Sequence, residues 1–335
     1  MFWSQFRAYT LIPVFIFIIL SSYLISYLLK DKDDKVRMLP IKIVTIILLV
    51  LEVIKQTLSI ILRGYDLYHI PLHFCSLFLY FLPIASFYNG KHKDVFRTLG
   101  AVISTCLFLF MSIYPLLIYP DGDIYGIKEF LGGNLERFFQ FHSVVFHNIA
   151  LYPFFFFAFN KVLNHDKKKD IKAIIIAFVI YSVIAGTLAN LIDTNFNNFK
   201  SCNADFLENV RVAMVNNIGV FGQVIYVLMI GVGTIIVPIL AYLILKLFER
   251  LSDNVGTGLN VSFIMATLVT TGLLITIFNT GLGMIICSIF TVIAISASIP
   301  TLINAIREKD KKHILFASLF TLTSLVAVIV EFIKL

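Results

Sequence analysis

Apolar residues run in long blocks along this chain, and most polar residues are gathered between the blocks. A helix needs roughly 20 apolar residues to cross the hydrocarbon core of a bilayer. Ten stretches meet or approach that length: 8–29, 41–62, 68–88, 97–119, 136–160, 172–193, 217–247, 259–280, 283–305 and 313–333. The seventh is over-long, which predicts tilt or an extension into water. Thr280-Gly-Leu-Gly283 joins the eighth and ninth as a tight helical hairpin. The run 8–29 is too long for a signal-peptide core and has no small-residue cleavage site, so it reads as a retained helix. The pattern predicts an all-α, polytopic membrane protein with about ten transmembrane helices. A seven-helix core over 1–257 holds the polar intramembrane residues, and residues 258–335 form a three-helix extension. No separate soluble domain or repeat is apparent.

Composition supports the membrane reading. Of 335 residues, 59% are hydrophobic and 14% charged, with a mean hydropathy of +0.91. Soluble domains are typically about 45–50% apolar and about 25% charged. A net charge of +7 would also suit a nucleic-acid binder, but its placement excludes that partner. Nineteen of the 27 lysines and arginines sit at or just beside the loops after helices 1, 3, 5, 7 and 9. Such alternation orients a protein by the positive-inside rule. Loops 30–42 and 161–172 are therefore expected in the cytoplasm and both termini outside. Lysine outnumbers arginine 19 to 8 in a chain rich in Ile and Phe, which suggests an AT-rich genome and a bacterial cell membrane. The four cysteines, Cys75, Cys106, Cys202 and Cys287, show no disulfide framework, since only Cys202 falls in a predicted loop.

Polar residues inside the apolar runs carry the candidate chemistry, because they are costly in a bilayer unless paired or functional. Helix 2 contains Glu52, Lys55 and Gln56, spaced to share a face. Tyr65-Asp-Leu-Tyr-His-Ile-Pro-Leu-His-Phe-Cys75 opens helix 3, with His69, Pro71, His73 and Cys75. Pro71 suits a first helical turn, which would put Cys75 just past that turn. His73 and Cys75 are two apart and face different sides of an ideal helix, so His73 is a poor base for Cys75. Helix 5 contains Arg137, His142, His147 and Asn148, and helix 6 ends at Asn190 before Asp193 and Asn195. Cys75 and His147 each lie fourteen residues from the charged inner end of their helix, at Asn89 and Lys161. At 1.5 Å per residue both are about 21 Å from the inner boundary. Measured from the outer ends instead, Cys75 pairs with His142. Either way the polar groups gather in the outer half of the membrane, as a pocket opening to the outer leaflet would require.

A cysteine and a histidine at matched depth are the minimum for thiol nucleophilic catalysis on an ester or thioester. Asn148 or Asn190 would orient the imidazole or donate to an oxyanion. Metal chemistry at His69, His73, His142, His147 and Cys75 is the competitor. The sequence has no CxxC pair and no HxxxH set with a carboxylate, so neither a metal nor another cofactor is expected. His69-Ile-Pro-Leu-His-Phe-Cys75-Ser resembles the Leu-Pro-Leu-His-Leu-Cys segment of the YwaF-like integral membrane proteins, bacterial relatives of transmembrane protein 164. The resemblance extends over roughly residues 40–245. It takes in Glu52, the Arg137-Phe-Phe-Gln-Phe run followed by an intramembrane histidine, and Asn190-Leu-Ile-Asp-Thr-Asn195. It implies a phospholipid acyltransferase working through an acyl-cysteine, with phospholipids as donor and acceptor. Carried over, Cys75 is the nucleophile, His147 or His142 the base, and His73 and Asn190 supporting residues; Arg137 stands where a phosphate would be met. Two other classes stay open: a small-solute or proton-coupled transporter using Glu52, Lys55 and the histidines, with Gly231-Val-Gly233 as a possible helix break, and a non-catalytic scaffold.

Overall fold

The computed structural model describes residues 12–113, 124–202 and 205–333. The described residues are helical with turns and no strands. Eleven helices organise them: α1 Ile12–Leu29, α2 Leu39–Arg63, α3 Phe78–Phe87, α4 Lys93–Ile113, α5 Phe138–Asn160, α6 Lys167–Leu191, α7 Asp205–Ile218, α8 Val220–Asp253, α9 Val255–Phe278, α10 Thr280–Glu308 and α11 Lys311–Ile333. Short helices Asp34–Arg37 and Ile124–Leu131 lie between them. Seven of the described helices are long and apolar enough to cross a membrane by length and composition, and two shorter apolar ones accompany them. With α2, which is 25 residues long and carries the intramembrane charges, the ten predicted runs all have helical counterparts. The predicted ends at 8–11 and 114–119 fall outside the described residues. The chain is a polytopic membrane protein. Large apolar side chains such as Ile46, Val50, Val53 and Ile61 of α2 stay exposed, as lipid contact allows.

Three sequence expectations change. The predicted third helix begins late: residues 64–73 hold no α-helix and only a 3-10 turn at Leu67–His69, Phe74–Leu77 forms a second 3-10 turn, and the α-helix starts only at Phe78. Pro71 is the cause, because it disfavours helical backbone in the residue before it; Ile70 is extended, with ψ 129°. Cys75 therefore lies in the 3-10 turn, ahead of the α-helix. The α9–α10 connection is shorter than expected. Asn279 alone separates the helices and caps α10 by accepting from the Leu282 N–H at 3.0 Å, so Thr280–Gly283 is the first turn of α10. Helix α8 runs through Gly231-Val-Gly233 and Pro238 without interruption, so the helix break that would have favoured a transporter is not at Gly231-Val-Gly233.

Two compact units interleave along the chain. The first comprises 1–40, 107–162 and 244–335; the second, 41–106 and 163–243. In the first, Phe154, Phe155, Phe156 and Phe157 of α5 are fully buried. Phe108 stacks on Phe154 at 4.6 Å between ring centroids, and Phe15 meets Phe155 edge-on. Arg37 closes the C-terminal end of α5, donating to the backbone and side-chain oxygens of Asn160, a favourable place for a cation. Helices α9 and α10 approach closely at Gly272 and Gly283: a Cβ on Gly272 would lie 2.6 Å from the Cys287 nitrogen, and one on Gly283 would overlap the Thr276 backbone.

In the second unit, Thr45 and Ser86 hydroxyls bond at 2.8 Å to join α2 and α3, and Gly100 of α4 lets the Ala85 methyl of α3 come close. After α6, the stretch 192–202 is an ordered loop with left-handed backbone at Asp193, Asn197 and Asn198. Polar residues of this kind tolerate that conformation. Phe196 and Phe199 are its fully buried anchors.

Candidate functional site

The irregular segment before Cys75 has carbonyls that no helix ladder satisfies, and side chains from other positions meet them instead. Gln56 Nε2 of α2 donates to the His69 oxygen at 2.7 Å. His73 Nε2 donates to the Tyr68 oxygen at 2.9 Å. Tyr80 Oη of α3 donates to the Pro71 oxygen at 3.1 Å, and Tyr181 Oη of α6 to the Leu72 oxygen at 2.9 Å. Non-helical backbone within an apolar region is tolerated only when its polar groups find partners in the protein. Aromatic contacts reinforce the lashing: Phe74 stacks on Phe178 at 5.7 Å, and His73 lies between Tyr68 and Phe196. Gly64 and Tyr65 turn the chain into the segment with positive φ.

The result is a half-buried thiol on a fixed turn. Cys75 is a free cysteine of intermediate burial, next to the buried Ser76. Lys55 Nζ and Gln56 Nε2 both approach Glu52 Oε1, at 2.7 and 2.6 Å. The predicted Glu52–Lys55–Gln56 face thus exists, and it is continuous with the segment that carries Cys75. Because His73 Nε2 donates to a carbonyl, its basic nitrogen is Nδ1.

Asn190 and Asn195 act on the 192–202 loop. Asn190 Nδ2 donates to Gly186 O at 2.8 Å, and its Oδ1 accepts from Gln223 Nε2 at 3.0 Å. Asn195 gathers Ser201 and the Lys200 N–H around its amide. Glu208 accepts from the Cys202 N–H at 2.8 Å and pairs with Arg211 at 2.5 Å. That hydrogen-bonded guanidinium holds the Glu208 carboxyl below its usual range. The loop in turn supplies Phe196 to the face of His73.

Arg137, His142, His147 and Asn148 belong to the other compact unit. His147 Nδ1 lies 2.6 Å from the Ser143 carbonyl one turn back, so it donates there and the basic nitrogen is Nε2. Asn148 likewise donates to Val144 O at 2.9 Å, while its buried Oδ1 has no hydrogen-bond partner among the described residues. His142 stacks on Phe146 at 5.2 Å. Arg137 pairs with Glu129 at 2.6 Å. No group of three or more His, Cys, Asp or Glu with metal-holding geometry occurs among the described residues.

The model of the TMEM164 family matches residues 2–231, more than two thirds of the chain. The chain belongs to the TMEM164 family. That match includes the lashed segment, Cys75 and the α5 histidines and ends within α8, so α9–α11 lie outside the part shared with the TMEM164 family. No curated protein and no solved structure matches the chain. Sequence reasoning missed Tyr80 and Tyr181, which hold the segment; a tyrosine in an apolar helix carries a hydroxyl that needs a partner, and that is the signal they offered.

Proposed function

We propose that this TMEM164-family protein moves acyl chains between phospholipids through an acyl-thioester on Cys75, at a site open to the outer leaflet. The observation that carries the reading is the lashing of residues 68–72, which holds a half-buried thiol on a non-helical turn at the edge of an apolar helix. An inert membrane cysteine does not need such an arrangement. The Cys75 thiol gives its proton to a histidine of α5, and the thiolate so formed attacks a phospholipid ester carbonyl. The carbon–oxygen ester bond breaks, the lysophospholipid oxygen takes that proton, and the acyl group stays on sulfur. An acceptor hydroxyl then attacks the thioester, gives its proton to the same imidazole, and regenerates the thiolate. His147 is the preferred base, because its Nδ1–H bond to Ser143 O leaves Nε2 as the proton acceptor. His142 is the alternative. Glu52, Lys55, Gln56, His69, His73, Asn190 and Asn195 support the segment and its loop, and Asn148 the base. Arg137 would release Glu129 to meet a phosphate. Bacterial origin and termini on the outside complete the reading.

Incubating purified protein with phospholipid labelled in its acyl chain and measuring intact mass tests it. Wild type should gain one acyl mass that hydroxylamine removes, Cys75→Ala should gain none, and His147→Gln should slow the gain at least tenfold. Label retained in Cys75→Ala would overturn the nucleophile. No acylation with any lipid would favour the transporter reading, in which the interrupted third span is part of a solute path.

A further inference from the structure

In the first unit, where the C-terminal ends of α1 and α10 meet, two cations converge on one exposed tyrosine. Lys30 Nζ and the Arg307 guanidinium each lie 4.8 Å from the centroid of the Tyr27 ring, within cation–π range. The two charges are therefore no more than twice that distance apart. Tyr23 holds the guanidinium: its hydroxyl accepts from Arg307 Nη1 at 2.8 Å and donates to Asn304 Oδ1 at 2.8 Å. Arg307 Nε and Nη2 make no hydrogen bond among the described residues. That open edge is the one with which Arg211 grips both oxygens of Glu208. An edge of this shape takes two oxygens of a carboxylate or a phosphate. The nearby carboxylates leave it open. Asp31 is 3.9 Å from Lys30 on a side chain 84% exposed, and exposed pairs of that kind contribute little. Glu308, next in sequence, makes no ion pair with Arg307 among the described residues, and Asp310 pairs with His313.

The surroundings say what kind of anion fits. Phe17, Leu20, Leu24 and Leu28 of α1 are exposed, as is Tyr27, and their spacing places all five on one helical face. From Phe17 to Leu28 that face rises about 16 Å at 1.5 Å per residue. One leaflet of the hydrocarbon core is about 15 Å deep. A soluble anion gains nothing from such a face. A phospholipid lays an acyl chain along it while its phosphate meets the cations, and a tyrosine suits the boundary between the two. A zwitterionic headgroup would bring its own ammonium against Lys30 and Arg307, so the pair favours a headgroup of net negative charge. Helix α1 lies within the part shared with the TMEM164 family, whereas α10 lies beyond it.

We infer that Arg307 and Lys30 bind the phosphate of a net-anionic phospholipid whose acyl chain lies along the exposed face of α1, so that a lipid bridges α1 and the α9–α11 extension. The inference is independent of the acyl-transfer reading and uses no residue of the Cys75 segment. The test puts a tryptophan reporter on that face, Leu24→Trp in a Trp3→Phe background, in full-length protein reconstituted into phosphatidylcholine vesicles. Brominated phosphatidylglycerol should quench the reporter with an apparent affinity at least threefold above that of brominated phosphatidylcholine. Arg307→Gln should bring that ratio close to one, and Lys30→Gln should lower it by about half. Both side chains are exposed, and unchanged reporter emission in phosphatidylcholine alone checks that each variant is folded. A second reporter, Leu322→Trp on the exposed side of α11, should show no preference. Added inorganic phosphate should leave the quenching unchanged; displacement by it would assign a soluble phosphate and overturn the lipid. A ratio near one at Leu24→Trp, an equal preference at Leu322→Trp, or a ratio unmoved by either substitution would also overturn the inference.

Discussion

The third and fifth apolar runs open alike and differ in what their polar side chains do. Each begins with a 3-10 turn, Phe74–Leu77 or Leu135–Arg137, followed directly by an α-helix with a proline inside it, Pro83 or Pro153. Ahead of Phe74, however, lies an irregular stretch whose carbonyls take donors from α2, α3, α6 and the stretch itself. In α5 the polar side chains fold back on their own helix, His147 to Ser143 and Asn148 to Val144. A polar residue of the first kind is part of the tertiary structure, and removing it disturbs backbone elsewhere. One of the second kind leaves its helix intact when removed. The first arrangement suits holding a nucleophile still, and the second suits a base that must accept and return a proton.

The largest effect expected from breaking this contrast is at the base of the lashing. Glu52 and Lys55 are 10% and 14% exposed and paired at 2.7 Å. Glu52→Leu strands a buried ammonium and should destabilise by about 3–5 kcal/mol, whereas Glu52→Leu with Lys55→Leu should recover most of it. Thermal unfolding of the three proteins checks this, and a double variant no better than the single would remove the ion pair from the account. Next, Tyr181→Phe strips the donor from Leu72 O and should cost about 1–3 kcal/mol. It should also speed alkylation of Cys75 by a maleimide, as the turn loosens; unchanged labelling would mean that the segment is rigid without this bond. On the other side of the comparison, His147→Gln should change unfolding by less than about 1 kcal/mol, because the bond to Ser143 O is local to its own helix. A shift as large as that of Tyr181→Phe would erase the distinction.

The smallest effect is a pH dependence in the 192–202 loop. The Glu208 carboxyl is held below its usual range by Arg211. A group with a depressed folded pKa contributes above its unfolded pKa, near 4.5, and that contribution fades as pH falls through the folded value. Hydrogen exchange at the Cys202 amide, which donates to Glu208, should therefore accelerate relative to its intrinsic rate only below about pH 4.5. Glu208→Gln should abolish that pH dependence.

Hydropathy and charge alternation determined the ten runs, their order and the all-helical class, because a bilayer imposes length and apolarity on each span separately. Spacing along one helix was equally legible: Glu52, Lys55 and Gln56 do share a face, since a 3.6-residue period is local geometry. The start of α3 was not. Pro71 alone reads as a first-turn residue, and partners distant in sequence, Gln56 and Tyr181 among them, help to hold ten residues without an α-helix there. The same holds for the 192–202 loop, which composition presents as a solvated helix end and which long-range bonds from Gln223 and Tyr226 make ordered. What each stretch can be follows from its own residues. Which polar groups find a partner, and so where Cys75 and Arg307 are held, depends on side chains the chain brings back from elsewhere.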